Sequence, residues 1–460
     1  MTSQAIGPKP SAAREQPSVN GGSLVRGGHV LTSEERDHIV DGAVRILGGQ
    51  IDAVGAWPVL RARFPDDEVT GGPHDIVAPG FINTHGHFSE ALIVGLAKQF
   101  TLWEWVAALI NPIAPHLDEE RAHVGTLLAG IQMLKTGITL VNDMFVCDPQ
   151  AGEASTPGVM RALDELGLRG IVSFGAGDVR GASVVSIMRE HEALATAATA
   201  SRLSRFRVGI AAVGAQSDGL FPESVRLSDG AGSHIHLQEI REEVTASRNR
   251  FGATSIAHCA RAGLFEAPTI AAHCVWVDPD DREILAANDV GVAHNPVSNM
   301  ILASGVCPVI EMRQLGIAVG IGVDGPASND RQDMLEAIKT TVLLQRVDKL
   351  QATAFSARQA FAMATIGGAR ALGMETEVGS IAPGKAADLV VFDGDDPALA
   401  NVYDPYAAIV YSAGPGQVKD VWVAGNRAVI GGKVVNVDEL EVVARSRPLS
   451  RALVAQAGVA

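Results

Sequence analysis

PGFINTHGH, Pro79–His87, is a buried apolar strand that finishes on two histidines, His85 and His87, one residue apart. Side chains alternate along a strand, so residues i and i+2 share a face. Two imidazoles side by side can grip one metal ion. The same pair on a loop would mean nothing, so the rest of the chain has to decide.

Outward from this stretch, the middle of the chain alternates. After IVAPGFINTHGH come the strand-like runs GITLVNDMFV, LRGIVSFGAG, FRVGIAAVGA, SHIHLQE, TIAAHCVW, DVGVAHNPV and IAVGIGVDG, eight strands in all. Helical patterns such as ERAHVGTLLAGIQMLKTG and SVVSIMREHEALATAATASRL lie between most of them. Eight alternating units imply an α/β fold, a (β/α)8 TIM-like barrel. The connection Gln216–His234 reads as too polar and short for a full helix. Both ends of the chain are β-branched and punctuated by glycine, which suggests one small β-sandwich domain assembled from the two termini. The expected division is a disordered tail over 1–21, the sandwich from 22–78 with 385–440, the barrel over 79–384, and a C-terminal helical segment over 441–460.

Chemistry in such a barrel sits at the C-terminal ends of the strands, where this chain places its histidines. His85 and His87 end the first strand, His236 the fifth, His273 the sixth and His294 the seventh; Asp324 ends the eighth. One histidine in an apolar strand is ordinarily a hydrogen-bonded core residue; the joint pattern points to a polar metal centre. The expected ligands are His85, His87, His236 and Asp324, a set that suits Zn2+ first and also Fe2+. His234, one residue pair deeper, reads as structural. His116, His123 and His258 stand in helical context and read as surface or packing residues.

The bulk composition fits. Of 460 residues, 47% are apolar, enough for a large core, and 49 are glycine, which suits many short connections. A net charge of −15 without a dense Lys/Arg run excludes a nucleic-acid binder. Four scattered cysteines without CxxC give neither a disulfide framework nor a thiolate site. No apolar run is long enough to span a membrane and the first twenty residues have no apolar signal core, so the expectation is a soluble cytoplasmic protein without membrane or nucleic-acid partners. A homo-oligomer, dimer or tetramer, is expected.

A bound divalent ion lowers the pKa of water from about 15.7 to about 7 and supplies a nucleophile at neutral pH. Asp324 is placed to take the water's proton, and His273, one strand away, to hydrogen-bond the water and the developing oxyanion. A carboxyl three residues beyond a ligand, Glu239, can reach a ring nitrogen of a bound heterocycle; its plain alternative is a solvated charge leading into EIREEV.

The segments PGFINTHGH, HLQE, AHCVW, HNPVSN, GVDGPASND and GSIAPGKAADLVVFD resemble the amidohydrolase superfamily, in its mononuclear cytosine-deaminase and chlorohydrolase-like branch, over about residues 25–435. That branch includes S-adenosylhomocysteine and methylthioadenosine deaminases, 8-oxoguanine deaminases and s-triazine hydrolases such as atrazine chlorohydrolase. The resemblance implies catalytic roles for Glu239, His273 and Asp324, with Glu239 protonating the ring nitrogen as water attacks. It implies a hydrolase acting on the C–N bond of a cyclic amidine: a deaminase of a purine, pterin, pyrimidine or s-triazine. The alternative is a hydrolytic dehalogenase or other ring hydrolase. A catalytically dead scaffold would need lost ligands, and all six site residues are present. Binuclear members use a bridging lysine from the fourth strand; no lysine lies between Lys135 and Lys339, which implies one metal ion. Where nucleoside-deaminating members carry a ribose-holding glutamate and a histidine, this chain has Ala114 and Gln216, which speaks against an adenosine-type nucleoside. Trp105, Gln216, His294 and Asn295 are the expected substrate-binding residues, and the trimmed Phe221–Gly232 suggests an open pocket mouth.

Overall fold

The computed structural model describes residues 21–33, 38–149 and 154–459. The tail expected over 1–21 lies outside them, Gly21 excepted.

Eight strands form one parallel sheet in chain order: β1 (Phe81–Gly86), β2 (Ile138–Phe145), β3 (Arg169–Ala176), β4 (Ser204–Ala212), β5 (Ser233–Leu237), β6 (Thr269–His273), β7 (Gly291–His294) and β8 (Val319–Ile321). The ring closes where Gly86 bridges Asp324 in parallel, with Asp324 N–H donating to His85 O at 3.0 Å. Helices cover the outside because each has one apolar face. Glu119–Lys135 starts on the Asp118 side chain, which accepts from Arg121 N, and Pro157–Leu166 stops at Gly167, whose φ of 67° suits glycine.

The connection from Gln216 to His234 corrects the sequence expectation: it holds a nine-residue helix, Leu220–Ser228. Its polarity misleads because the buried face carries two serines beside Leu220 and Phe221. Ser228 spends its hydroxyl on Ser224 O at 2.8 Å, so it packs as a small residue.

Strands from both chain ends build the second unit, a nine-stranded mixed sheet running from Lys433–Val434 at one end of the order to Gln50–Ala56 at the other. The sheet folds back on itself. Ile51, in the last strand of that order, shares a core with Leu389, Val391 and Trp422, and backbone bonds join Ile51 to Gly384 and Lys385. A buried ion pair, Arg169 Nη2 to Asp388 Oδ1 at 3.1 Å, ties the start of β3 to this sheet. The helix Glu439–Ala457 returns to the barrel, with Lys135 Nζ 2.8 Å from Glu439 Oε2. Among the described residues no helix is long and apolar enough to cross a membrane.

Below the rim the barrel interior is a polar plug, set over an apolar cluster that includes Ile82, Leu140, Ile171 and Ile270. Asn142 Nδ2 donates to Thr84 O at 2.9 Å, and Ser173 Oγ to Asp143 O at 2.8 Å. His234, on β5, reaches across it to place Nε2 2.8 Å from His85 Nδ1. The plug leaves the upper rim as the place where side chains converge on open space.

Candidate active site

Bulges set the rim. The β4–β5 register slips between Ile235 and His236, and the β1–β2 register slips between Asn83 and Gly86. A bulge re-aims side chains at the end of a strand. The backbone is strained at the same level: Gln238, His273, Cys274 and Asp324 all hold left-handed φ, from 46° to 70°. Non-glycine residues accept this only where the surroundings enforce it, as at functional sites. Here the enforcement includes Cys274 N–H to Leu237 O at 3.0 Å and the barrel-closing bond of Asp324.

The result brings the predicted ligands together. His87 Nε2 lies 3.1 Å from His236 Nε2, and Asp324 Oδ1 lies 3.3 Å from Nε2 of both His85 and His87. Ligand nitrogens of His85, His87 and His236 lie within 4.8 Å of one another, as do nitrogens of His85 and His273 with a carboxylate oxygen of Asp324. The far nitrogens are all held. His87 Nδ1 donates to Met144 O and His236 Nδ1 to Ala211 O, each at 2.6 Å. A carbonyl only accepts, so these bonds fix the tautomers and leave both Nε2 atoms as bare lone pairs facing each other. His85 Nε2 is buried with no hydrogen-bond partner among the described residues. Burial keeps His85 down at about 3 and His236 well below its ordinary range, so both stay neutral, as ligands must be. Bare nitrogens this close repel unless a cation sits among them, so the donor set fits a divalent metal.

The acidic residues divide. Burial alone would raise Asp324, but the close approach of His85 at 3.3 Å and the pull of the neighbouring His273 and His87 outweigh it and hold the carboxyl well below the usual range. Glu239 goes the other way: burial lifts it to about 7. Its Oε2 is 3.5 Å from His273 Nε2, and its Oε1 accepts from Ser304 Oγ at 3.2 Å. Burial opposes charge on His273, yet Glu239 and Asp324 raise it. His273 Nδ1 is anchored by Asn299 Oδ1 at 2.8 Å.

A cavity of about 490 Å³ opens over this cluster. Its floor includes His87, His236, Glu239, His273 and Asp324; its outer wall is mostly apolar, with Leu102, Trp105, Val106, Ile110, Val146 and Val213, and also carries Arg180 and Arg250. Trp105 therefore lies where the sequence suggests. The other three expected binding residues stand outside the cavity wall. Gln216 is buried with Nε2 turned to Ala176 O at 3.1 Å. His294 is fully buried at the end of β7, and Asn295 fills the space beside the missing side chain of Gly322, against His85. His123 is buried and pairs with Glu165, while His258 stacks on Phe251.

Several residues here escape the sequence reading. Glu90 lines the cavity, and burial lifts it to about 7 against the pull of His87. Glu243 accepts from the backbone N–H groups of Gln238 and Glu239, so it fixes the turn that carries the glutamate. Asn299 and Ser304 hold His273 and Glu239. Glu90 had a signal, a lone carboxylate in the apolar run after His87; Glu243 is one of several acids in EIREEV and had none.

Fold and cluster together define a TIM-like barrel with a histidine–aspartate cluster able to hold a metal ion at its C-terminal mouth. The profile of the Amidohydrolase family matches residues 76–428. The chain belongs to the amidohydrolase family. It is 36% identical over 435 residues to a 5-methylthioadenosine/S-adenosylhomocysteine deaminase of Pelotomaculum thermopropionicum, covering 94% of this chain and 98% of the relative. A 5'-deoxyadenosine deaminase of Methanopyrus kandleri is 37% identical over 383 residues, 83% of this chain and 87% of the relative. Among solved structures, an adenosine deaminase from Xanthomonas campestris with bound zinc superposes with a TM-score of 0.87 at 28% identity, covering 94% of this chain and 98% of the other.

Proposed function

We propose that this chain is a metal-dependent aminohydrolase that replaces an exocyclic amino group of a small N-heterocycle with water and releases ammonia. The observation that carries this reading is Glu239: a carboxyl held near 7, beside His273 and the ligand cluster, on the floor of an apolar cavity. A proton donor poised near neutral pH is what a departing amine requires and a departing halide does not.

His85, His87, His236 and Asp324 would hold one divalent ion, for which we propose Zn2+; the solved adenosine deaminase with zinc supports that choice. When bound, the ion contributes Lewis acidity that brings water's pKa near 7. Asp324 uses Oδ1 toward His85 and His87 and toward Gly325 N, which leaves Oδ2 to take a proton from the attacking water. His273, oriented through Asn299, presents Nε2 as the donor to oxygen developing negative charge. Glu239 gives its proton to the ring nitrogen beside the attacked carbon, takes up the hydroxyl proton of the adduct and passes it to the leaving amine; the proton held by Asp324 then restores Glu239. One water is consumed, a C–O bond forms and a C–N bond breaks. The two water protons end on the ring nitrogen and on ammonia.

The relatives named above are deaminases of adenosine-type nucleosides, which supports an amino-purine at the reacting end. Where nucleoside-deaminating members have the ribose-holding glutamate and the histidine after strand four, the chain carries Ala114 and Gln216, and neither lines the cavity. Our reading is that the ring, rather than a ribose clamp at these positions, governs recognition.

The test is ammonia release by zinc-loaded enzyme across aminopurines and their nucleosides, pterins, aminopyrimidines, amino-s-triazines and a chloro-s-triazine. Ammonia from at least one amino ring, without chloride release as the dominant activity, is expected. Chloride release with no ammonia from any ring would replace the deaminase with a dehalogenase.

A further inference from the structure

Two carboxylates border the cavity without a part in the reaction above, and they differ. Both oxygens of Glu243 are occupied: Oε1 by Gln238 N and Ser255 Oγ, Oε2 by Glu239 N. Glu90 is occupied on one side only. Its Oε2 accepts from Ala327 N at 2.9 Å and Ser328 N at 3.2 Å, with Ser328 Oγ at 3.5 Å; Oε1 has no hydrogen-bond partner among the described residues.

Glu90 is also fixed in place. It ends the single turn Phe88–Glu90, three residues past His87, with its N–H on His87 O at 3.2 Å. The loop after β8 closes onto it so tightly that any side chain on Gly325 would collide with the Glu90 carboxyl. A buried acceptor held by two backbone donors on one oxygen and left bare on the other is aimed at something outside the protein.

We propose that Glu90 determines substrate specificity: Oε1 accepts a hydrogen bond from a second N–H or NH2 group on the ring whose amino group is replaced. The substrate class is then a diamino heterocycle, or an amino heterocycle with a ring N–H on that edge. This inference rests on the deaminase reading for the ring's seat and specifies its opposite edge. A ring without the donor leaves Oε1 desolvated and unpaired when it binds, so it is rejected by tenfold or more.

The experiment uses zinc-loaded protein with Glu239→Gln, which slows turnover, and titration calorimetry with matched ring pairs. The pairs are adenine against diaminopurine, and monoamino- against diamino-s-triazine. With Glu90 intact, the diamino member of at least one pair binds roughly tenfold or more tighter. Adding Glu90→Gln reverses the chemistry: the amide oxygen takes the Ala327 and Ser328 donors, and the NH2 then meets the ring's own NH2. The preference should fall below about twofold or invert, with the monoamino ring's Kd moving less than about threefold. A preference that survives Glu90→Gln overturns the assignment. So does an absent preference, or absent binding of every pair, with Glu90 intact, and that arm stands even if the variant fails to fold. Ammonia release with Glu239 restored separates the two readings. Deamination with a preference indifferent to Glu90 removes this proposal alone; binding that follows Glu90 with no ammonia from any ring removes the deaminase alone.

Discussion

On the barrel side of the cavity each catalytic-rim imidazole has its far nitrogen held: His87 by Met144 O, His236 by Ala211 O, His85 by His234, His273 by Asn299. The opposite wall is held together differently. Leu102, Trp105, Val106 and Ile110 come from a four-residue helix, Leu102–Trp105, that runs into a five-residue π-helix, Val106–Ile110. They are joined to the cavity by shape and apolar contact. The rim is pinned by directional bonds that tolerate no displacement; the wall can change side chains without disturbing them. Chemistry and recognition are therefore separable, and substitutions on the two sides should give different kinetic signatures.

The largest effect belongs to the rim. Asp324→Asn keeps the size of the side chain and removes its capacity to take a proton. We expect kcat to fall by roughly a thousandfold or more, while metal analysis still finds most of the zinc, because three imidazoles remain. Loss of zinc in proportion to activity would make Asp324 a ligand only. Glu239→Gln comes next, with a loss on the order of a hundredfold or more in kcat for an amino substrate. Its pH signature is sharper than its magnitude. Burial raises Glu239 to about 7, and the proposed reaction needs the protonated form. Thus kcat/KM should hold below pH 7 and fall about tenfold per unit above it, and that alkaline limb should vanish in Glu239→Gln.

Asn299→Ala tests the pinning itself. The Asn299 side chain meets the site through the back of His273 and does not line the cavity, so the expected loss is smaller, roughly tenfold in kcat with KM nearly unchanged. If the bond merely stabilised the fold, the melting temperature would drop and kcat per folded molecule would stay constant. A shifted pH profile accompanies the positioning role, because Asn299 helps to raise His273.

The same asymmetry explains what could be read from the chain. Strand ends announce themselves by an apolar run terminated at His85, His236, His273 or Asp324, and in a parallel barrel every such end faces one mouth. Six side chains far apart in sequence were thereby placed on one rim. The support beneath them was not legible. Asn299 and Ser304 sit on the connection after β7, whose path depends on tertiary packing, and Glu243 looks like any solvated acid in a charged helix. His294 shows the limit of the strand-end rule. It ends β7 as the others end theirs, yet its ring lies fully buried, with neither nitrogen paired among the described residues, outside the cavity wall. Gln216 failed for a related reason: the turn after β4 rotates its amide inward to Ala176 O, a choice of rotamer that no spacing encodes.

The wall gives the smallest effect and the cleanest separation. Trp105 is buried, lines the cavity, and its Nε1 has no hydrogen-bond partner among the described residues. We expect this indole N–H to meet an acceptor on the bound ligand. Trp105→Phe keeps most of the apolar surface and removes only that donor and one ring edge. A neutral hydrogen bond contributes about 1 kcal/mol, so KM should rise roughly fivefold while kcat changes by less than about twofold. The contrast with Asn299→Ala is the point of the pair: one bond lost on the rim lowers kcat and spares KM, one bond lost on the wall does the reverse. If Trp105→Phe instead lowered kcat at constant KM, the wall would share in aligning the reacting ring, and the division between the two sides of the cavity would fail.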